Sequence, residues 1–453
     1  MGKKFDFDYI IIGSGPAGTT AALNLAKNKR KKVAIVESKE YGGSNLNSRD
    51  IPYLVSLNFA HNFYNLKKSP ELTDTPHFNF SAITDHQNKV AKSLGANNKK
   101  IYESIGITCI DGFAKFLDSN TIIVNNKKIT SDYFILATGT QLNTSHISGL
   151  SSANYFTPEN VIKLQHQPKF ILVIGGGSTG CEITEYFAKL GTKVILMESS
   201  ARILPKEDKE ASELLCSYFE RELGVMVMEN SKVVEISKDE KSQRVIFSTN
   251  GQNKMVRIDS VVLATGSSPC TNYGLENAGV KFNKTGIIVD KFFQTSARNI
   301  FAIGDCISNN SSTERAEYEA FVLSDNLIHK AKTPIIHNGF ARITSTDPEI
   351  ATVGKTEATL IKNKTKYKKS IVYLKDIPAS QIYHAEYGFA KIITDLSGHI
   401  IGATIISKDA SLMITELALA IRHHLTALEI ASTPHIANNF NYIIKLAAKK
   451  LAK

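Results

Sequence analysis

The chain has 453 residues, 42% of them apolar and 21% charged, which excludes a disordered, collagen-like or coiled-coil protein and, at about 150 residues per domain, predicts about three domains. Lys and Arg outnumber Asp and Glu by 54 to 43, a net charge of +11; the excess is scattered lysine, and no nucleic-acid partner is expected. The five cysteines, Cys109, Cys181, Cys216, Cys270 and Cys306, are widely spaced without a C-x-x-C pair, which excludes a disulfide framework and a zinc site and predicts a reducing, cytoplasmic compartment.

The start, MGKKFDFDY, carries no apolar stretch of signal-peptide length, and Asp6 in place of Ser or Thr argues against myristoylation of Gly2. No apolar run approaches the ~18 residues that would span a bilayer. Next, DYIIIGSGPAG (8–18) is an apolar run of strand length entering Gly13, Gly15 and Gly18 at G-x-G-x-x-G spacing, with TTAALNLAKN following at helical period. The first two glycines allow a tight turn and close approach of a pyrophosphate. The third lets helix pack on strand, and the helix N-terminus offers free N–H groups to phosphate. A second strand, KVAIVES, reaches Glu37, where a carboxylate would accept hydrogen bonds from an adenosine ribose.

The pattern then repeats whole. FILVIGGGSTGCE (170–182) runs into Gly175, Gly177 and Gly180, the helix ITEYFAKLG follows, and KVILME ends at Glu198. Two dinucleotide folds in one chain predict two bound dinucleotides, and the usual chemistry of such a pair is hydride transfer between a nicotinamide and a flavin. Glu198 suits the free 2′-hydroxyl of NADH and would repel the 2′-phosphate of NADPH, although Arg202 lies close by in sequence. YFILATG (133–139) and SVVLATG (260–266) each return a strand to its dinucleotide. RNIFAIGDC places Asp305 at the end of another strand, where its carboxylate could take hydrogen bonds from flavin ribityl hydroxyls.

With GSGPAG, GGGSTGCE, the two ATG strands, FAIGD and TDPEIATVGKTE (346–357) in this order, the chain resembles the class I pyridine nucleotide-disulfide oxidoreductases, among them lipoamide dehydrogenase and mercuric reductase. The resemblance implies an α/β fold of two Rossmann-like dinucleotide-binding domains plus a C-terminal α+β dimerisation domain. FAD would occupy 1–145 and 270–330, NAD 146–269, and a homodimer would form through 335–453. It implies that Gly13, Gly15, Gly18, Glu37, Gly112, Ala114, Thr138, Gly139 and Asp305 hold FAD. The helix beginning near Thr313 would aim its N-terminus at the flavin O2–N1 edge. Gly175, Gly177, Gly180, Glu198 and Gly266 would hold NADH.

Where the family carries its redox cysteines, in a segment like GGTCLNVGCIPSK, this chain reads GGSNLNSRDIPYL (42–54). Asn45 and Asp50 stand in the cysteine positions, and Leu54 replaces the lysine that normally pairs with the glutamate matched here by Glu182. A thiolate is the species that attacks disulfides, and neither replacement can do so. The family's histidine–glutamate pair, from a segment like HAHPTLSE, is answered by HIANNFNY (435–442), with Ala437 and Tyr442 at the acid–base positions and His435 expected to be structural. Ser178, where some relatives carry a gating tyrosine, would leave the nicotinamide pocket more open.

The reading that follows is an FAD-dependent NAD(P)H oxidoreductase that passes electrons directly to a quinone or another small acceptor. The alternatives are a non-catalytic FAD/NAD-binding sensor or scaffold, and a dihydrolipoyl dehydrogenase-like enzyme by resemblance only. Asp50 is expected near the reacting edge of the flavin, partly desolvated, in surroundings that favour a protonated carboxyl able to give or take a proton. The competing expectation is that Asp50 and Asn45 simply hydrogen-bond to each other and fill the space. Finally, NYIIKLAAKKLAK (441–453) is a short basic amphipathic helix, suited either to the dimer interface or, as the lesser expectation, to a membrane surface.

Overall fold

The computed structural model describes residues 4–74, 76–143, 147–238, 242–308 and 312–452. Gly2, the expected boundary at 145–146 and Lys453 lie outside them. Strand β1 (Phe7–Ile12) enters the first glycine turn, helix α1 (Pro16–Ala26) leaves it, and strand β2 (Val33–Glu37) follows. Pro16 occupies the start of α1, where its missing N–H is not needed and its fixed φ suits a helix. Next come helix α2 (Gly43–Asn47), helix α3 (Asp50–Lys67), strand β3 (Ile107–Asp111) and strand β4 (Lys127–Leu136). The second glycine turn lies between strand β5 (Phe170–Ile174) and helix α4 (Ser178–Lys189), with strands β6 (Lys193–Met197), β7 (Met226–Met228) and β8 (Ser260–Leu263) beyond. The chain continues through strand β9 (Ile300–Ala302), helix α5 (Thr313–His329) and strands β10 (Ala341–Thr344), β11 (Glu349–Gly354), β12 (Lys368–Tyr373), β13 (Phe389–Thr394) and β14 (Ile400–Ser407). Helices α6 (Ala410–Arg422) and α7 (Tyr442–Leu451) end it.

These elements form two compact units: Met1–Val55, Ala82–Thr144 and Gly266–Ile336 in the first, and Ser56–Ser81, Ser145–Thr265 and His337–Lys453 in the second. In the first unit the parallel strands lie in the order β3-β2-β1-β4, with β9 beside β4. Side chains alternate across the pleat. Tyr9, Ile11, Val33, Ile35 and Ile135 share one core with α1 and α5, and Ile10, Ile12, Ala34, Val36, Phe134 and Leu136 share another on the opposite face. Burial on both faces is why β1 reads as an unbroken apolar run instead of an alternating one.

In the second unit, parallel strands β7-β6-β5-β8 take the same spatial order, so the repeat seen in the glycines extends to topology. A separate antiparallel sheet, β10-β11-β14-β13-β12, is covered by α6 and α7. The tail does form a helix, but Ile443, Ile444, Ala447 and Ala448 are buried in that core, and Ser370 Oγ donates to the Ala447 carbonyl at 2.7 Å. Its apolar face is therefore not free to meet a membrane, which corrects the lesser expectation for this segment. Among the described residues no helix is long and apolar enough to cross one.

One charged cluster ties the antiparallel sheet to the dinucleotide half of the second unit. The Lys391 side chain on β13 is fully buried, and its Nζ meets Asp208 at 3.1 Å, Glu210 at 2.9 Å and Glu357. Glu357 also accepts from Lys369 Nζ at 2.8 Å and from the Tyr367 hydroxyl at 2.6 Å, while its own N–H donates to Asp208 at 3.0 Å. Burial alone would raise the Glu357 carboxyl, but the hydrogen bonds from Lys369, Lys391 and Tyr367 outweigh it and hold the group at about 2 instead of the ordinary 4.5. A depressed carboxyl contributes stability that is complete above its unfolded pKa and is lost as the pH falls through the folded one. The melting temperature of the wild type should therefore drop between pH 4.5 and about 2. In Glu357→Gln that part of the drop should be absent, and the variant should melt lower at neutral pH, as read by circular dichroism.

Candidate functional site

The two glycine turns have the same geometry. Gly13 and Gly175 adopt φ of +100° and +107°, and a Cβ on either would stand 2.4 Å from a carbonyl oxygen, that of Ala137 or of Ala264. Those two alanines are the first residues of the two Ala-Thr-Gly segments, which is how each returning strand closes on its turn. A Cβ on Gly18 would stand 1.9 Å from the Gly13 carbonyl oxygen, and one on Gly180 would stand 1.8 Å from that of Gly175. At Gly15 and Gly177 a Cβ would meet nothing within 4 Å. Each turn thus combines a closed helix–strand contact with an open approach to the first N–H groups of a helix, a cradle that fits a pyrophosphate.

The two acids repeat as well. Glu37 Oε2 accepts from the Ser14 N–H at 2.9 Å and the Ser14 hydroxyl at 2.7 Å, and Glu198 Oε2 accepts from the Gly176 N–H at 2.6 Å. In both halves the strand-end carboxylate holds the residue after the first glycine. The second oxygen of each takes a backbone N–H two residues on, Lys39 at 2.8 Å and Ser200 at 2.7 Å. A carboxylate has about four acceptor positions, so each retains capacity for a ribose hydroxyl. Arg202 is turned elsewhere: its Nη2 donates to the Glu207 carbonyl at 3.0 Å.

Around the first turn, the Gly112 N–H donates to the Glu37 carbonyl at 2.8 Å and Ala114 is buried in the sheet core. Thr138 Oγ1 donates to the Cys270 carbonyl at 3.2 Å, and the Cys270 N–H to the Gly139 carbonyl at 3.0 Å. Asp305 lies in a single 3-10 turn, Gly304–Cys306. That turn is held by a residue the sequence did not announce: Glu319 on α5, fully buried, accepts from the Gly304 N–H at 2.7 Å and from Arg315 Nε at 2.6 Å. Burial pushes the Glu319 carboxyl above its usual range, against the pull of Arg315. Around the second turn, Gly266 has φ +85° and faces open space.

Helix α2 lies directly on the first turn, since a Cβ on Gly43 would meet Gly15 Cα at 2.6 Å. From there Asn45 Nδ2 donates to Asp50 Oδ2 at 2.6 Å and to Thr313 Oγ1 at 2.7 Å, and Thr313 Oγ1 donates to Asp50 Oδ2 at 3.2 Å. The expected Asn45–Asp50 bond is therefore present, with Thr313 as a third member that the sequence suggested only as a helix start. Asp50 is exposed, and its Oδ2 receives both donors. Arg49 reaches Thr140 Oγ1 at 3.4 Å, and Leu54 is exposed. None of the five cysteines forms a disulfide, and burial pushes the Cys306 thiol up to about 12.

In the second unit, a polar stripe on α4 grips the loop after β10. Ser178 accepts from Thr344 Oγ1 at 2.8 Å, Glu182 accepts the Ser345 N–H at 2.8 Å, and both Glu185 oxygens accept the Asp347 N–H at 3.0 Å. Lys189 Nζ, fully buried, meets Asp347 at 2.9 Å and Glu185 at 3.3 Å, while His61 Nε2 lies 3.0 Å from Glu185. No local pattern announces the pairing of Glu182 with Ser345 or of Glu185 with Asp347, residues that lie some 160 apart in the chain. His435 is anchored by Glu416 at 3.0 Å and by the Thr433 carbonyl at 2.9 Å, and Tyr442 opens α7.

A sequence profile described as pyridine nucleotide-disulphide oxidoreductase matches residues 7–320, and one described as that family's dimerisation domain matches residues 340–448. The chain is 30% identical over 435 residues to a mercuric reductase of Staphylococcus aureus, covering 94% of this chain and 79% of that one. It is 29% identical over 463 residues to a dihydrolipoyl dehydrogenase of Bacillus subtilis, covering 98% and 96%. Its fold superposes on the HOCl-induced flavoprotein disulfide reductase RclA of Escherichia coli with a TM-score of 0.88 at 24% identity, covering 98% and 99%.

The glycine contacts separate packing from openness. In Gly18→Ala and Gly180→Ala a methyl group must displace a backbone carbonyl, so overpacking of about 3 kcal/mol should outweigh the gain of about 1 kcal/mol in helix propensity. In Gly15→Ala and Gly177→Ala, at helix N-caps with open surroundings, the loss should stay below about 1 kcal/mol. Urea unfolding of the four variants measures the difference.

Proposed function

This chain belongs to the pyridine nucleotide-disulphide oxidoreductases, FAD-dependent enzymes that use NAD(P)H, and from that premise we propose that it is an NADH:acceptor oxidoreductase that delivers electrons to a quinone or another small acceptor instead of a disulfide. The observation that carries the reading is the hydrogen-bonded Asn45–Asp50 pair in the segment where the resemblance puts two cysteines, while all five cysteines lie elsewhere in the chain. A carboxylate and an amide cannot exchange with a disulfide.

When bound, FAD would take up a hydride from NADH and deliver electrons to the acceptor. Gly13, Gly15, Gly18 and Glu37 would hold its pyrophosphate and adenosine. Gly112, Ala114, Thr138, Gly139 and Asp305 would line its length, and the N-terminus of α5 at Thr313 would face the end that gains negative charge on reduction. Gly175, Gly177, Gly180, Glu198 and Gly266 would hold NADH. The position of Arg202, bonded to the Glu207 carbonyl, supports NADH over NADPH because it leaves Glu198 as the charge nearest the second turn. Asp50 would give or take a proton at the acceptor, with Asn45 and Thr313 as positioning residues on its Oδ2. Glu182, which accepts the Ser345 N–H, would join Asp50 and Asn45 as the third residue of the catalytic set. The dimerisation-domain match supports a homodimer, and Leu412, Leu419, Leu428 and Ile436 of that module are exposed.

Anaerobic mixing of the purified holoprotein with NADH should bleach the visible flavin band, and NADPH should bleach it at least tenfold more slowly. Absence of bleaching would leave a protein that binds without reacting, and a long-wavelength thiolate-to-flavin band would place a cysteine at the flavin and overturn the reading. In NADH-to-quinone turnover, Asp50→Asn should flatten the pH profile while leaving the rate of bleaching by NADH within about twofold, since proton transfer is worth about 10²-fold or more where it limits turnover. An unchanged profile would remove Asp50 from proton transfer.

A further inference from the structure

Ser178 opens helix α4 immediately after Gly177, whose surroundings are open. The corresponding residue of the first turn is Pro16, which has no side-chain donor. A serine hydroxyl carries one hydrogen and two lone pairs. Here one lone pair is taken, because Thr344 Oγ1 donates to Ser178 Oγ at 2.8 Å. Among the described residues the Ser178 hydrogen meets no acceptor, and a hydroxyl that already accepts a hydrogen bond becomes a better donor.

Thr344 is itself held. It is 2% exposed at the end of β10, and the residues after it are bonded to the same face of α4 by Glu182 to the Ser345 N–H and Glu185 to the Asp347 N–H. Ser178, Glu182, Glu185 and Lys189 recur at helical spacing, so one face of α4 is committed along its whole length to residues 344–347. The hydroxyl of Thr344 therefore has little freedom to leave Ser178.

We propose that Ser178 supplies a hydroxyl donor to the pyrophosphate of the pyridine nucleotide, and that Thr344, from the C-terminal module, is the positioning residue that aims it. This rests on the reading of the second glycine turn as an NADH site. It makes the C-terminal module part of nucleotide recognition in the second site, through a contact with no counterpart at the first. It also accounts for a serine following the open glycine here, where a proline suffices in the first turn.

The test is calorimetric titration of the full-length holoprotein with ADP-ribose, which carries the pyrophosphate without the nicotinamide, alongside adenosine, which carries no phosphate. Ser178→Ala should weaken ADP-ribose by about tenfold, the loss expected for one hydrogen bond to a charged group. Thr344→Val should weaken it about three- to fivefold, Thr344→Ser should restore wild-type affinity, and the Ser178→Ala/Thr344→Val double variant should be no weaker than Ser178→Ala alone. Adenosine should bind all of them equally. Wild-type affinity in Ser178→Ala overturns the proposal, and so does wild-type affinity in Thr344→Val or an equal loss for adenosine. If Thr344→Val does not fold, Ser178→Ala at its half-buried position still decides. A wild type that binds neither ADP-ribose nor NADH overturns the NADH reading itself, and is thereby distinct from a wild type that binds both and is indifferent to the substitutions.

Discussion

The close contact between the third glycine of each turn and the carbonyl of the first governs how both dinucleotide folds are built. With less than 2 Å between a would-be Cβ and that oxygen, only a residue without a side chain lets the helix begin directly against the strand that precedes it. Everything about the cradle follows from that proximity. The helix N-terminus is brought over the ends of the parallel strands, the second glycine is left facing open space, and the acid at the end of the next strand comes within reach of the turn's backbone. Because the contact is backbone on backbone, it repeats almost to the tenth of an ångström at Gly18 and Gly180 although the side chains around the two turns differ.

The charged groups of the second unit serve a different purpose. Lys391 among Asp208, Glu210 and Glu357, and Lys189 between Glu185 and Asp347, are buried ion clusters in which the partners come from far-apart stretches of chain. Such clusters add little net stability over a well-packed apolar core, but removing one member strands the others, so they specify which segments must meet. In this protein they register the dinucleotide half of the second unit against the antiparallel sheet. The same registration brings the hydroxyl of Thr344 onto Ser178.

Beside the first turn lies a hydrogen-bonded group of neutral and acidic side chains. Asn45, Asp50 and Thr313 come from three separate helices and converge on a single carboxylate oxygen. A disulfide would link two of those helices covalently and bring its own redox couple. The hydrogen-bonded trio links all three without a covalent bond.

Much of this was legible in the amino-acid sequence because the relevant physics is local. A glycine turn between an apolar run and a helical period, with an acid about twenty residues on, needs only short-range geometry, and it identified both cradles, the fold class and the family. That Asn45 and Asp50 stand where the resemblance puts two cysteines was equally plain, being a matter of residue identity. What tertiary structure alone decided depends on partners distant in the chain: Thr313 joining Asn45 and Asp50 across some 265 residues, Glu182 turning to Ser345, and Glu319 supporting the Asp305 turn. The tail makes the same point from the other side. Its amphipathic period was correctly read as a helix, yet periodicity specifies only that one face is apolar, and whether that face meets a membrane or the sheet beneath it is fixed by which surface the fold places there.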